Sequence, residues 1–226
     1  TGGFETVAFC EIEDFPRRVL AKHWPEVPCY HDVTTSDFAA LGPVDLVTAG
    51  FPCQDISFAG KGAGLAGERS GLFWHIIRAA SLVGRPKLLL ENVAALLDRG
   101  MGAVLGALAQ IGYDAEWNCV PACAVGAPHE RDRLWIVADA SQAGQQRPVI
   151  DWSTVSGSNG AEVTQFGKHR TKCGDEWAEG FAAVSMGDGL SSRLVRGGIE
   201  TAGNAVVPQI PELIGRAILD SMEQAA

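Results

Sequence analysis

The chain has 226 residues, 46% of them hydrophobic, which is enough for one sizeable core, or a core with a small appendage, and argues against two full domains. Its formal net charge of -9 argues against a protein that coats nucleic acid non-specifically, while leaving room for a local basic groove. No apolar run approaches the roughly 20 residues that span a bilayer, and the first residues lack the charged-then-apolar layout of a secretory signal, so a soluble, cytoplasmic monomer without a membrane partner is expected. Cys10, Cys29, Cys53, Cys119, Cys123 and Cys173 are too sparse and irregular for a disulfide scaffold. Reduced thiols are expected, and no metal, because Cys119 and Cys123 lack a second ligand pair nearby.

In chain order, residues 6–10 read as a short strand with Glu11 at its carboxyl end. A carboxylate there either accepts hydrogen bonds from ribose hydroxyls, as in nucleotide-type α/β sheets, or favours the dipole of a helix over residues 15–23. Pro16 suits the first turn of that helix, and Pro25 with Pro28 stops it. Asp32 follows the next extended piece, as a second acid near a strand end or as a cap alongside Thr34, Thr35 and Ser36. The run 44–48 has the length and β-branched content of a buried strand, and Gly50 with Pro52 ends it. Cys53 then sits at the edge where open α/β sheets bind ligands. Followed by Gly60, Gly62, Gly64, Gly67 and Gly71, it has the layout of a nucleophile beside a closing loop; a buried structural thiol is the other reading.

Residues 72–83 carry Phe73, Ile76, Ile77 and Ala80 at helical spacing, closed by Gly84 and Pro86. A strand at 87–90 delivers Glu91, Asn92 and Val93 at its end. Glu11, Asp32, Cys53 and Glu91 thus each follow a strand and precede a helix, and right-handed crossovers put all four on one rim of a parallel sheet. A helix over 101–111 ends at Gly112, residues 113–120 alternate loosely, and an apolar strand is predicted at 134–138. On an extended chain Arg131 and Arg133 point to the same side, so two guanidinium groups converge on one ligand, or pair with Glu130 and Asp132 at the surface. From 141 to 180 the periodicity dissolves, with Trp152, Phe166 and Trp177 isolated in it. Ile210, Leu213, Ile214, Ala217 and Ile218 mark a final amphipathic helix over 210–222.

Gly50-Phe51-Pro52-Cys53-Gln54, Glu91-Asn92-Val93, Arg131-x-Arg133 and Gly203-Asn204-Ala205-Val206 occur in the order and contexts of the cytosine-C5 DNA methyltransferases, which the chain resembles apart from residues 141–180. The resemblance implies an α/β, Rossmann-like methyltransferase sheet, mostly parallel with helices on both faces, lacking its first strand and carrying a small irregular insertion. It implies a catalytic core at 1–140, a variable, target-recognition-like insertion at 141–190, and a return segment with a packed helix at 191–226. It also implies S-adenosylmethionine as cofactor, with Glu11 on the ribose, Ile12 against the adenine, Asp32 and Val33 at the adenine edge, and Phe51, Pro52, Asn204 and Val206 completing the pocket.

In that family's chemistry Cys53 adds as thiolate to C6 of a flipped cytosine, protonated Glu91 relieves the charge at N3 and the exocyclic amine, Arg133 holds O2, and Arg131 steadies the catalytic loop or the phosphates. Gln54, Ser57, Arg69 and Asn92 are the implied DNA contacts. The implied partner is double-stranded DNA, in a bacterial or phage setting with nucleoid DNA as substrate, and a cognate restriction endonuclease is compatible with the resemblance.

Three departures qualify the likeness. The family's glycine-rich first motif is absent ahead of Thr1, so an N-terminally truncated enzyme is expected; His129 stands where the family has Gln; and the segment that would read DNA sequence is short. The alternatives are a non-catalytic DNA-binding homologue or inactive fragment, and a cysteine hydrolase pairing Cys53 with His129 or His75.

Overall fold

The computed structural model describes residues 3–52, 71–127, 131–140, 150, 152–155 and 206–224. The chain divides into two units, one taking in residues 3–119 and 133–149, the other 120–132 and 150–226.

The first unit opens with strand β1 (Phe9–Cys10), helix α1 (Asp14–His23) and strand β2 (Cys29–Tyr30). β1 and β2 form a two-stranded parallel sheet with Phe9 opposite Cys29, closed by Phe9 N–H to Pro28 O at 2.9 Å and Glu11 N–H to Tyr30 O at 3.0 Å. β1 is shorter than the sequence predicts, and Pro28, which has no N–H to donate, limits the ladder on the β2 side. Pro16 lies in the first turn of α1 as expected, yet none of the helix is buried, and Phe15 and Val19, one turn apart, are 54% and 40% exposed.

The second sheet has four strands, β3 (Leu46–Gly50), β4 (Lys87–Val93), β5 (Asp114–Val120) and β6 (Arg133–Asp139), in the order β3-β4-β6-β5. β3 pairs parallel with β4, but β6 pairs antiparallel with it. The result is the expected α/β fold, with a parallel two-stranded sheet and a mixed four-stranded sheet. Between the strands run α2 (Gly71–Leu82), the single turn α3 (Leu96–Arg99) and α4 (Met101–Gln110).

The periodicity of α2 does what it predicts: Phe73, Ile76, Ile77 and Ala80 are its buried residues. They pack with Val104 and Leu108 of α4 against one face of the sheet, built from Leu88, Leu90, Leu134 and Ile136. Those four strand side chains are fully enclosed, each contributing about 1.5–3 kcal/mol by leaving water. Both helices end in the same way. Gly84 and Gly112 take φ of 90° and 75°, and the next residue bonds back five positions, Arg85 N–H to Ala80 O at 3.0 Å and Tyr113 N–H to Leu108 O at 2.9 Å. The two ends are tied together: Arg85 donates to Ile111 O and lies over the Tyr113 ring, while Tyr113 Oη donates to Pro86 O at 2.9 Å.

The described part of the second unit contains a 3-10 turn (Ala122–Val125), the short α5 (Trp152–Val155) and α6 (Gln209–Glu223). α6 buries Ile210, Ile214 and Ile218, the face its apolar spacing predicts.

Candidate active site

Glu91 is the side chain around which the first unit gathers its polar groups. The polar run Glu91-Asn92 does not end the strand as expected: β4 continues to Val93, with Glu91 opposite Gly50 on the β3 side and opposite the buried Trp135 on the β6 side. Arg133, at the start of β6, donates from Nε to Glu91 Oε1 at 2.8 Å, and the two side chains are only 17% and 21% exposed. Glu91 Oε2 occupies space beside Gly50, where an added Cβ would stand 3.3 Å away. Glycine at the last position of β3 is what gives the carboxylate its room.

Asn92, the next residue, faces inward and is 3% exposed. Its Nδ2 donates to Phe51 O at 2.9 Å, and its Oδ1 accepts from Val93 N–H at 2.8 Å. This corrects the expectation of a DNA contact: both ends of the amide are engaged inside the protein, and the side chain clamps the exit of β3 to β4. Phe51 is 7% exposed, and its ring packs 5.3 Å from Phe73 in the core. Pro52 is exposed and follows the clamp directly. Cys53, Gln54, Ser57, Arg69, His129 and Asn204 lie outside the described residues.

Glu11 and Asp32 come at the carboxyl ends of paired parallel strands. Glu11 Oε1 accepts from Glu13 N–H at 2.7 Å, which places the carboxylate at the entry of α1, so the dipole role open from sequence is realised. Ile12 beside it is 56% exposed. Asp32 Oδ1 accepts from Thr34 N–H at 2.8 Å, and that bond, with help from the charges of His31 and His75, holds its carboxyl below the usual range. The cap role is thereby realised for Asp32, in a turn rather than a helix. An acceptor carboxylate with an uncovered apolar neighbour is the donor set that a ribose and an adenine ring require, so Glu11 and Ile12 fit that part of S-adenosylmethionine.

Arg131 has φ of 30°, in the left-handed region, and falls in the second unit, while Arg133 falls in the first. Arg133 is brought to Glu91. Val206 precedes α6 in the second unit. That unit also holds a cleft of about 350 Å³ lined by Ala124, Val125, Val155 and Leu213, with the Glu212–Arg216 pair at 2.7 Å, and none of the sequence-derived site residues lines it.

A family model described as C-5 cytosine-specific DNA methylase matches residues 1–170. The chain belongs to this family. Among curated methyltransferases it is similar to the Type II methyltransferase M2.BsuMI of Bacillus subtilis, 36% identical over 144 residues that make up 60% of this chain and 36% of that one. It is also similar to the Type II methyltransferase M.CviJI of a Paramecium bursaria Chlorella virus, 34% identical over 137 residues, 58% of this chain and 36% of the other. The matched region thus spans little more than a third of these methylase relatives. Among solved structures, a Spodoptera frugiperda DNMT2 variant shares the fold, with a TM-score of 0.52 and 19% identity over 66% of this chain and 46% of that one.

Two contributors to the site escaped sequence reasoning. Gly50 was read as a strand stop and as part of the Gly50–Gln54 motif, not as the close approach that makes room for Glu91. Arg78, the one Lys, Arg, Asp or Glu in α2, was not singled out, and a lone arginine on an otherwise apolar helix is the signal that would have found it.

Proposed function

We propose that the protein transfers a methyl group from S-adenosylmethionine to C5 of a cytosine taken out of the stack of double-stranded DNA, with Cys53 as the nucleophile. The observation that carries this reading is the Glu91–Arg133 pair, set beside the strand that leads into Cys53. Carbon 5 of cytosine is a poor nucleophile until electrons are pushed into the ring. The Cys53 thiolate does this by forming a bond to C6, which places negative charge on N3 and makes C5 electron-rich. Glu91 supports that charge by sharing a proton with N3 and accepting from the exocyclic amine, and Arg133 donates to O2. Base entry therefore exchanges the Glu91–Arg133 bond for bonds from both partners to the ring. C5 takes the methyl group as the methyl–sulfonium bond breaks, leaving the cofactor as a neutral thioether; loss of the C5 proton to water and departure of the Cys53 sulfur with its electron pair then restore the aromatic ring and the free thiolate.

The cofactor supplies an electrophilic methyl group on a sulfonium. Glu11 would accept from its ribose hydroxyls, Ile12 would cover the adenine face, and Asp32 with Val33 would meet the adenine edge. The acidic net charge leaves DNA contact to local basic residues, Arg69 among them.

The test is label transfer from methyl-tritiated S-adenosylmethionine to double-stranded DNA, followed by nucleoside analysis. Label in 5-methylcytosine that is lost in Cys53→Ser supports the proposal. Labelling unaffected by that substitution contradicts it.

A further inference from the structure

Residues 32–36, between β2 and the 3-10 turn Ala39–Leu41, form a tight turn whose backbone is fixed from two sides. On one side Asp32 gathers the amides: Thr34 N–H bonds to its Oδ1 at 2.8 Å, and Thr35 N–H and Ser36 N–H bond to its carbonyl at 3.3 and 2.9 Å. With the amides turned inward to Asp32, the carbonyls of the same residues point outward and converge. A single group meets them. Arg78 Nη2 donates to Val33 O at 2.9 Å and to Ser36 O at 3.1 Å, with Thr34 O at 3.5 Å on the edge of bonding distance. Three crowded carbonyl dipoles repel one another, and a guanidinium is the side chain whose planar, permanently charged donors relieve that repulsion.

Arg78 sits in the middle of α2, whose first residue, Gly71, directly follows the segment that carries Cys53. The helix is anchored on its other face by Phe73, Ile76, Ile77 and Ala80, so the guanidinium is presented from a rigid element to a turn that has little apolar packing of its own. Thr34 and Thr35 are exposed, and Val33 is only partly covered.

We propose that Arg78 is a positioning residue for S-adenosylmethionine: by holding the carbonyls of Val33, Thr34 and Ser36 it sets the backbone of the Asp32–Val33 segment that recognises the adenine edge. This rests on the proposed function, and it predicts a loss of cofactor affinity without a matching loss of the chemical step. The guanidinium acts through the turn and touches neither cofactor nor base.

The test compares wild type, Arg78→Ala and Arg78→Lys in two ways. Hydrogen exchange in the cofactor-free protein reads the turn directly: the amides of Thr34, Thr35 and Ser36 should exchange about tenfold faster in Arg78→Ala, with those of Ile77 and Leu90 unchanged. Calorimetry with S-adenosylmethionine and with S-adenosylhomocysteine should show Kd raised about tenfold in Arg78→Ala, equivalent to about 1.4 kcal/mol, and largely restored in Arg78→Lys, whose ammonium still donates to carbonyls. Turnover at saturating cofactor should change less than about twofold, since no interaction with the reacting atoms is lost. Unchanged exchange in the turn overturns the proposal whatever the cofactor does. So does accelerated exchange with unchanged Kd, or protection lost equally at Leu90, which marks a merely structural role. Wild-type protein that binds neither ligand would refute the proposed function itself and this role with it.

Discussion

Replacing Asn92 with Ala removes a side chain that is 3% exposed and engaged at both ends. Two backbone groups lose their partners, the carbonyl of Phe51 at 2.9 Å and the N–H of Val93 at 2.8 Å. A buried group left without its bond costs about 1–3 kcal/mol, so the pair implies a loss of about 2–4 kcal/mol, allowing for some relaxation toward water at Val93. Asn92→Asp separates the two contacts, since it keeps an acceptor for Val93 N–H but points a carboxylate oxygen at the Phe51 carbonyl. It should be at least as destabilising as Ala near neutral pH and recover as the acid is protonated. Urea unfolding followed by tryptophan fluorescence, with the buried Trp135 on the strand next to β4, measures both variants. An Asn92→Ala protein within about 0.5 kcal/mol of wild type would refute the claim that this amide clamps β3 to β4.

Gly50→Ala should leave stability within about 1 kcal/mol, because the Cβ would meet only the end of the flexible Glu91 side chain at 3.3 Å. It should nevertheless lower methyl transfer about tenfold or more by displacing the Glu91 carboxylate, and equal rates would contradict the role given to Gly50. Tyr113→Phe strands the Pro86 carbonyl that Tyr113 Oη now serves at 2.9 Å, and should cost about 1–2 kcal/mol in the same unfolding assay. Asp32→Ala carries a pH signature. The carboxyl is lowered in the folded state chiefly by the Thr34 amide, so its stabilisation is fully present above the ordinary carboxylate value of about 3.9 and is lost as pH falls further. The stability gap between wild type and Asp32→Ala should therefore be level from pH 7 to about 5 and narrow below about 4. A gap that widens in acid would contradict the assignment.

Elements whose signal is carried by their own residues were legible in the sequence. α2 buries the residues its spacing selects, and α6 does the same with Ile210, Ile214 and Ile218. The two glycine stops, Gly84 and Gly112, fall where positive φ is needed. Between residues far apart in the chain, the motifs put Glu91 and Arg133 at one site, but the direct bonds were not legible. The polar pair Glu91-Asn92 resembles a strand end because polar residues seldom continue a buried strand, yet here Asn92 satisfies a carbonyl 41 residues away and Glu91 meets Arg133 across the antiparallel pairing. Glu11 and Asp32 were found because strand ends followed by acids form a pattern, while Arg78 belongs to no pattern and becomes visible only through the carbonyls it gathers.

The central claim is that a thiol, an acid and a guanidinium serve one pyrimidine. Incubation with S-adenosylmethionine and duplex DNA containing 5-fluorocytosine tests it most directly, because fluorine at C5 blocks release of the sulfur. The expected result is a denaturation-resistant protein–DNA adduct, absent in Cys53→Ser and formed much more slowly in Glu91→Gln and Arg133→Ala. An adduct that survives Cys53→Ser, or full-rate trapping without Glu91 and Arg133, would contradict it.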